Sequence, residues 1–193
     1  MGGVIVIAGK DIPVEAEVVT WKQNGWDASS PYCIRLPGYA ASLAKCHPLE
    51  GGQRAEHGFG LRRYSVRPPF QKLTKPPTVE AVQAVIRQFI VHHDGVDNSE
   101  TCFNVLHNER GLSCHFLIDN DGTIYQTLDL AHMGWHAADW NRYSIGVELA
   151  NRGDAKAWPG YYEGGTKRRG PSREQRACQV NGHKILSHDY TQQ

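Results

Sequence analysis

Apolar positions along this chain change period twice within its middle third. Val82, Val85, Ile86 and Phe89 recur at spacings of three and four, the pattern of a helix with one buried face, and Thr78 stands where its hydroxyl can cap it. The helix leads into an apolar run, Phe89 to His93, read as a strand. Helical spacing returns over Ser99 to Arg110, with Ser99 as N-cap, Phe103 and Leu106 on one face, and Gly111 just past the end as a left-handed cap. Cys114 to Ile118 and Thr123 to Leu128 are strand-like runs about Asn120-Asp121-Gly122, which predicts a β-hairpin. A further strand, Ser144 to Ala150, follows a loop rich in aromatics and histidine. Strands interleaved with helices predict an α/β fold: a central mixed β-sheet flanked by helices, with an antiparallel hairpin inside it.

The pattern is weaker on either side. From Met1 to about Lys75 there are turns and short extended pieces, Val4 to Ile7 and the alternating Val14 to Trp21, broken by Pro31, Pro37, Pro48 and the glycines at 51 and 52. Prolines at 68, 69, 76 and 77 punctuate its end. Residues 1–77 are therefore expected to form an irregular N-terminal arm, and residues 78–193 a single domain. After Asn151 the chain turns to Gly, Arg, Lys and Pro as far as Ser172, as expected of a long exposed insertion.

Composition narrows the function. Twenty-one basic residues against 20 acidic, a formal net charge of +1, make no electrostatic case for a nucleic-acid or anionic-membrane partner. Hydrophobic residues at 40% and charged residues at 21% exclude wholesale disorder. No apolar run approaches the roughly 20 residues that cross a bilayer, and the N-terminus lacks the basic and apolar regions of a secretory signal. The expected location is the cytoplasm, or the cell wall if a helper system delivers the chain. Five cysteines without a C-x-x-C pair argue against a disulfide framework and a Cys-rich zinc knot. Ten histidines draw more attention, because His is the common zinc ligand and the common proton carrier near neutral pH.

Three places could carry chemistry. His92-His93 end an apolar strand, and alternation lets only one of them look into a given site; strand-end histidines meeting solvent are the plain alternative. Glu148 interrupts the apolar strand Ile145-Gly146-Val147-Glu148-Leu149-Ala150, where a carboxylate needs a partner, a ligand or a cleft unless it faces solvent. Gly146 beside it leaves room for something to approach the backbone. His132-Met133-Gly134-Trp135-His136-Ala137 places two histidines and an indole in one loop, suited either to a polar ligand or to a packed core.

Taken in order, Phe89-Ile90-Val91-His92-His93, Ser113-Cys114-His115-Phe116-Leu117-Ile118 with Asp119-Asn120-Asp121-Gly122-Thr123-Ile124-Tyr125-Gln126, Gly134-Trp135-His136-Ala137, Asn141, and Ser144-Ile145-Gly146-Val147-Glu148-Leu149 resemble the zinc-dependent N-acetylmuramoyl-L-alanine amidases. That superfamily includes phage amidase lysozymes and the peptidoglycan recognition proteins. The resemblance spans roughly residues 80 to 151. It implies a mixed sheet with flanking helices, a surface groove, and one Zn2+ held by two histidines and a third Cys, Asp or His. The first ligand would be His92. The family's general base is a Tyr before the hairpin or a Glu in the Ile-Gly-x-Glu strand; here Cys114 stands at the Tyr position and Glu148 at the Glu position, which implies the Glu-using branch. The reaction implied is hydrolysis of the amide between N-acetylmuramic acid and L-alanine, with peptidoglycan or a muropeptide as partner and Trp135, His136 and Asn151 as groove residues.

In the family the other two ligands follow a long helix near the C-terminus, with a Lys that steadies the oxyanion. Here Asp189-Tyr190-Thr191-Gln192-Gln193 resembles the opening of that helix. The expectation is a chain incomplete at its C-terminus, lacking two ligands and the Lys. Gly182-His183 with His188 and Asp189 as a compressed substitute, and a partner chain that donates the missing ligands, are the alternatives. Two functional classes follow: an amidase, or a peptidoglycan-binding module without zinc. A third reading, Cys114-His115 as a nucleophile pair, is opposed by strand alternation, which points neighbours to opposite faces.

Overall fold

In chain order the strands of the protein, described by a computed structural model, are β1 (Gly3–Ile7), β2 (Lys10–Val14), β3 (Val18–Thr20), β4 (Tyr32–Cys33), β5 (Phe59–Leu61), β6 (Tyr64–Val66), β7 (Gln88–His93), β8 (Phe116–Ile118), β9 (Ile124–Gln126), β10 (His132–Gly134), β11 (Ser144–Leu149), β12 (Gln175–Val180) and β13 (His183–His188). The helices are α1 (Trp21–Asn24), α2 (Val79–Val85) and α3 (Ser99–Asn104), the last running into a π-helical turn over Val105–Arg110. The structure describes residues 2–30, 32–33, 59–61, 64–153, 175–180 and 183–188. Most of the expected insertion and the segment from Asp189 onward lie outside these residues.

Five strands form the central sheet in the order β3-β9-β8-β11-β7. β7 and β8 both run parallel to β11, β3 runs parallel to β9, and β8 and β9 make the expected antiparallel hairpin. The sheet is mixed, and a helix covers each face. On one face Val82 of α2 packs with Ile7, Phe70, Phe116, Leu130 and Val147. On the other, Cys102 of α3 packs with Cys114 and Leu117, with Trp26, Phe103, Leu106 and Tyr125 around them. Phe116 and Leu117 are sequence neighbours on opposite faces, as the two-residue period of a strand requires.

Part of the segment expected to be an arm is built into this sheet. β3 is its edge strand, and Val6 and Ile7 of β1 are buried in the core. Gln126, fully buried, makes the attachment: its Oε1 accepts from Val6 N–H at 2.7 Å and its Nε2 donates to Val6 C=O at 2.9 Å. A side-chain amide thus serves β1 as a strand neighbour would. Strands of three to five residues interrupted by turns carry too little periodicity to be separated from loop by pattern alone.

The helix ends differ in detail from the sequence reading. Thr78 caps α2 as expected, its Oγ1 accepting from Ala81 N–H at 3.2 Å. Phe89 does not share the helix face: α2 ends at Val85, and Phe89 lies on β7 with its side chain 58% exposed. The N-cap of α3 is Asn98, not Ser99; Asn98 Oδ1 accepts from Thr101 N–H at 2.9 Å, and Ser99 is buried as the first helical residue. Gly111 closes the π-helical turn at φ 65°, the left-handed cap its position suggests.

Among the described residues, Arg67 is a heavily engaged buried side chain. It is fully buried just past β6, and its guanidinium donates to the C=O groups of Leu130, Asn141, Arg142 and Ser144. Burial lowers its pKa to about 10, which still leaves it charged at neutral pH. Three carbonyls from the segment between β9 and β11 and that of Ser144, the first residue of β11, are thus pinned to one cation. Replacing Arg67 with Met leaves these acceptors without that donor, and the expected loss is more than about 3 kcal/mol, read as a lower midpoint in urea unfolding.

Candidate metal centre and catalytic carboxylate

Strand pairing decides which histidine enters the site. In the parallel register of β7 on β11, His92 lies opposite Glu148 and His93 opposite Leu149. Side chains at paired positions share a face of the sheet, so His92 and Glu148 look the same way, toward α3. His93 is exposed, and its Nε2 meets Asn151 Oδ1 at 3.0 Å.

His92 meets His136 above the sheet. His92 Nε2 and His136 Nδ1 are 3.0 Å apart, and the far nitrogen of His136 meets Ser144 Oγ at 3.2 Å. Gly146 makes this seat possible: a Cβ there would lie 2.6 Å from the His136 ring. The space beside Glu148 that this glycine leaves is filled by an imidazole of the same chain. Backbone N–H groups of His136 and Ala137 both donate to Asn141 Oδ1, at 3.1 and 2.7 Å, which holds the loop in place.

Cys114 completes the group. One donor atom each from His92, Cys114 and His136 lies within 4.8 Å of the others. The Cys114 thiol also donates to Glu148 Oε1 at 3.5 Å. By resemblance Cys114 stands at the family's Tyr position and His136 is a groove residue; the fold brings both to His92. Glu148 itself is buried, 8% exposed, so of its two readings the solvent-facing one fails. It lines a cleft of about 260 Å³ with His92, Asp94, Cys102, Leu106 and Arg110. The π-helical turn supplies Leu106 and Arg110 to that cleft, and such turns are frequent at functional sites.

Burial sets the charge states. It raises Glu148 to about 7, against the smaller lowering by the Cys114 hydrogen bond and Arg110. It also raises Asp94 to about 7, with Glu148 adding to the rise, and pushes the Cys114 thiol well up. His136 is lowered to about 4 by burial and by the nearby His92 and Arg67, and burial lowers His92 as well. The site thus presents two neutral imidazoles with available lone pairs, a thiol, and a carboxylate poised near neutrality. This donor set fits zinc, which takes neutral imidazole and thiolate ligands.

The other candidates fall in different places. Trp135 is partly exposed beside the cluster; its Nε1 donates to Ser65 Oγ at 3.0 Å and its backbone N–H donates to Ser113 Oγ. Asn151 is fully buried, with Oδ1 taken by His93 and by Gly153 N–H, and it ties the ends of β7 and β11 together instead of facing open groove. His115 does not pair with Cys114. It is fully buried, its Nδ1 accepts from Gly146 N–H and its Nε2 donates to His132 C=O, and burial and Arg67 lower it to about 3. His183 and His188 bound β13, paired to β12, and the described backbone shows no more of them.

The type 2 amidase family model, described as N-acetylmuramoyl-L-alanine amidase, matches residues 82–188. The chain belongs to this family. His92, Cys114, His136 and Glu148 all lie inside the match, while Arg67 lies outside it. Peptidoglycan-recognition proteins SC1a of Drosophila melanogaster and SC1a/b of Drosophila simulans are each 35% identical over 73 residues, covering 31% of this chain. The chain spans 40% of the length of these curated relatives. Among solved structures, it is similar to the E. coli amidase AmiD in complex with anhydro-N-acetylmuramic acid-L-Ala-D-gamma-Glu-L-Lys, at 20% identity and TM-score 0.32, covering 53% of this chain and 36% of that one. It is also similar to AmpD, at 23% identity and TM-score 0.29, covering 45% and 56%.

Two outcomes test this amidase-family site. Gly146→Ala forces the His136 ring out of its seat, with an expected cost of about 1–3 kcal/mol and loss of the His92–His136 contact, read from imidazole NMR resonances. In the metal-free chain Glu148 keeps its proton between its ordinary 4.5 and about 7, where the unfolded chain has released it. That contribution is full below about 4.5 and is lost as pH rises through about 7. Urea unfolding at several pH values is therefore expected to show wild type losing stability relative to Glu148→Gln across that window.

Proposed function

We propose that the chain is a peptidoglycan amidase that hydrolyses the amide between N-acetylmuramic acid and the L-alanine of the stem peptide. The observation that carries this reading is a buried carboxylate, Glu148, beside a cluster of side chains that could hold a metal ion, within the segment matched by the amidase family. His92 would hold a zinc ion at this place. When bound, zinc supplies an activated water and polarises the amide carbonyl.

The remaining steps belong to the protein's own groups. Glu148, raised to about 7, is matched to taking a proton from the attacking water and returning it to the leaving amine near neutral pH. Its cleft is lined by Asp94 and Arg110 as well as by Val96 and Leu106, so polar and apolar groups both border that carboxylate. Trp135, partly exposed and oriented by Ser65, offers a flat apolar surface for a sugar or peptide. Asn151 acts from beneath, holding the strand ends that carry His92, His93 and Glu148.

The curated relatives are recognition proteins by name, and this favours a second reading, a peptidoglycan-binding module that holds the ligand without cleaving it. One experiment separates the two. The chain is incubated with an N-acetylmuramic acid-L-Ala-D-gamma-Glu-L-Lys muropeptide and released stem peptide is followed by chromatography. An amidase releases peptide in a chelator-sensitive way. Glu148→Gln is expected to keep its metal and lose about 10²–10⁴-fold in turnover, and His92→Ala to lose metal and turnover together. Binding without release supports the module, and unchanged turnover in Glu148→Gln removes Glu148 as the base.

A further inference from the structure

We propose that Asp139, Trp140 and Arg142 form a saccharide subsite, which takes the sugar next to the N-acetylmuramic acid residue that carries the scissile amide. The inference rests on the amidase reading and adds to it the part of the glycan that the protein grips. The three residues lie on the 3₁₀ segment Ala138–Tyr143, between the loop that carries His136 and β11. All three are exposed, Trp140 to 63%, and among the described residues none of their side chains makes a hydrogen bond, an ion pair or a ring contact. Their backbone is in the opposite condition. The carbonyls of Asn141, Arg142 and Ser144 accept from the Arg67 guanidinium and that of Tyr143 accepts from Arg87 N–H, so the carbonyls of residues 141–144 are all occupied. Asn141 Oδ1 takes the N–H groups of His136 and Ala137, Trp140 N–H donates to Ala137 C=O at 3.1 Å, and the Arg87 guanidinium lies 5.0 Å from the centre of the Tyr143 ring. Ala138 is held at φ 49°, a left-handed conformation that a residue with a Cβ rarely adopts.

A buried arginine and a strained alanine thus hold a segment whose exposed side chains add nothing to the core. A fixed backbone that presents unengaged side chains is the arrangement of a recognition surface, because a ligand meeting it has little chain left to order. The chemistry of the three selects the ligand. An indole offers a flat apolar face to the C–H groups of a pyranose. The carboxylate of Asp139 accepts from sugar hydroxyls, and the guanidinium of Arg142 donates to hydroxyl and acetamido oxygens. One acid and one base give no net charge, which suits a neutral N-acetylated amino sugar and not a polyanion. Position agrees with this ligand. The turn from Ala137 to Trp140 keeps their Cα atoms within about 7 Å, and Ala137 directly follows His136 of the cluster beside Glu148. Trp135, partly exposed, precedes the same histidine, so the two indoles bracket it along the chain. The sugar beside the one at Glu148 is thereby within reach of Trp140.

Fluorine NMR reads the contact without any cleavage. The 193-residue chain is labelled with 5-fluorotryptophan, which gives one resonance for each of its five tryptophans, and Trp140→Phe identifies one of them by its loss. The probe is the N-acetylglucosamine tetramer, which carries no peptide and no scissile amide. The expected result is a saturable shift of the Trp140 resonance, with binding weakened about tenfold in the double variant Asp139→Ala, Arg142→Ala, shown to be folded by circular dichroism. Leu73→Ala, exposed and outside the segment, keeps the shift. A Trp140 resonance that does not move with the tetramer, undiminished binding in the double variant, or a shift given by phosphatidylglycerol vesicles and not by the sugar each overturns the proposal. Cleavage is then compared for L-Ala-D-gamma-Glu-L-Lys carried on N-acetylmuramic acid alone and on its disaccharide with N-acetylglucosamine. Wild type is expected to favour the disaccharide about tenfold in kcat/KM, through KM, while Trp140→Ala loses that preference and Trp140→Tyr keeps most of it. A sugar-dependent Trp140 shift without cleavage of either substrate sinks the amidase reading and leaves the subsite standing. Equal cleavage of both substrates by the wild type, with a fixed Trp140 resonance, does the reverse.

Discussion

The parallel pairing of β7 with β11 is the constraint on which the site depends. It sets His92 opposite Glu148 and sends His93 to the outer side. Because side chains alternate, a slip of one residue would exchange the two histidines and strand the carboxylate without its neighbours. The register is held at both ends: Arg87 N–H donates to Tyr143 C=O at the start of the pair, and Asp94 N–H donates to Leu149 C=O at its end. Asp94 Oδ1 also accepts from Asn151 N–H, closing the end where the site lies. The most regular part of the fold is thus the part that carries the candidate chemistry.

Around that pair the protein uses side chains where a larger domain would use more sheet. Gln126 pairs with β1, Arg67 collects carbonyls from the loops on either side of β10 and from the start of β11, and His115 bridges Gly146 and His132. Each is buried and polar, which is costly unless every group finds a partner. These bonds join loops that have few residues of regular structure, and they fix the segment that delivers His136. The loop histidine is held by its backbone bond to Asn141, by Ser144 Oγ on its far nitrogen and by the close fit of its ring on Gly146.

The cost of concentrating polar groups is visible in their charge states. Burial keeps His92 and His136 neutral, raises Glu148 and Asp94, and holds the Cys114 thiol protonated. A cation placed among these groups reverses the penalty for the thiol and the carboxylates, since each then gains a favourable field when ionised. The same burial that raises Glu148 suits it to exchange protons near neutral pH.

Read without its structure, the chain already determined the α/β class, the α2 cap at Thr78 and the β8–β9 hairpin, and it singled out His92 and Glu148 as candidates. These depend on local signals: hydrophobic period, a capping hydroxyl, a turn tripeptide, a carboxylate in an apolar run. Family motifs added the proposed reaction and the choice of His92 over its neighbour as the candidate ligand. Only the tertiary structure decided that β3 completes the sheet, that Asn151 is buried, that Gly146 exists to seat His136, and that Cys114 meets both histidines. Those facts join residues 10 to 106 positions apart in the chain, through packing and hydrogen bonds that no local pattern records.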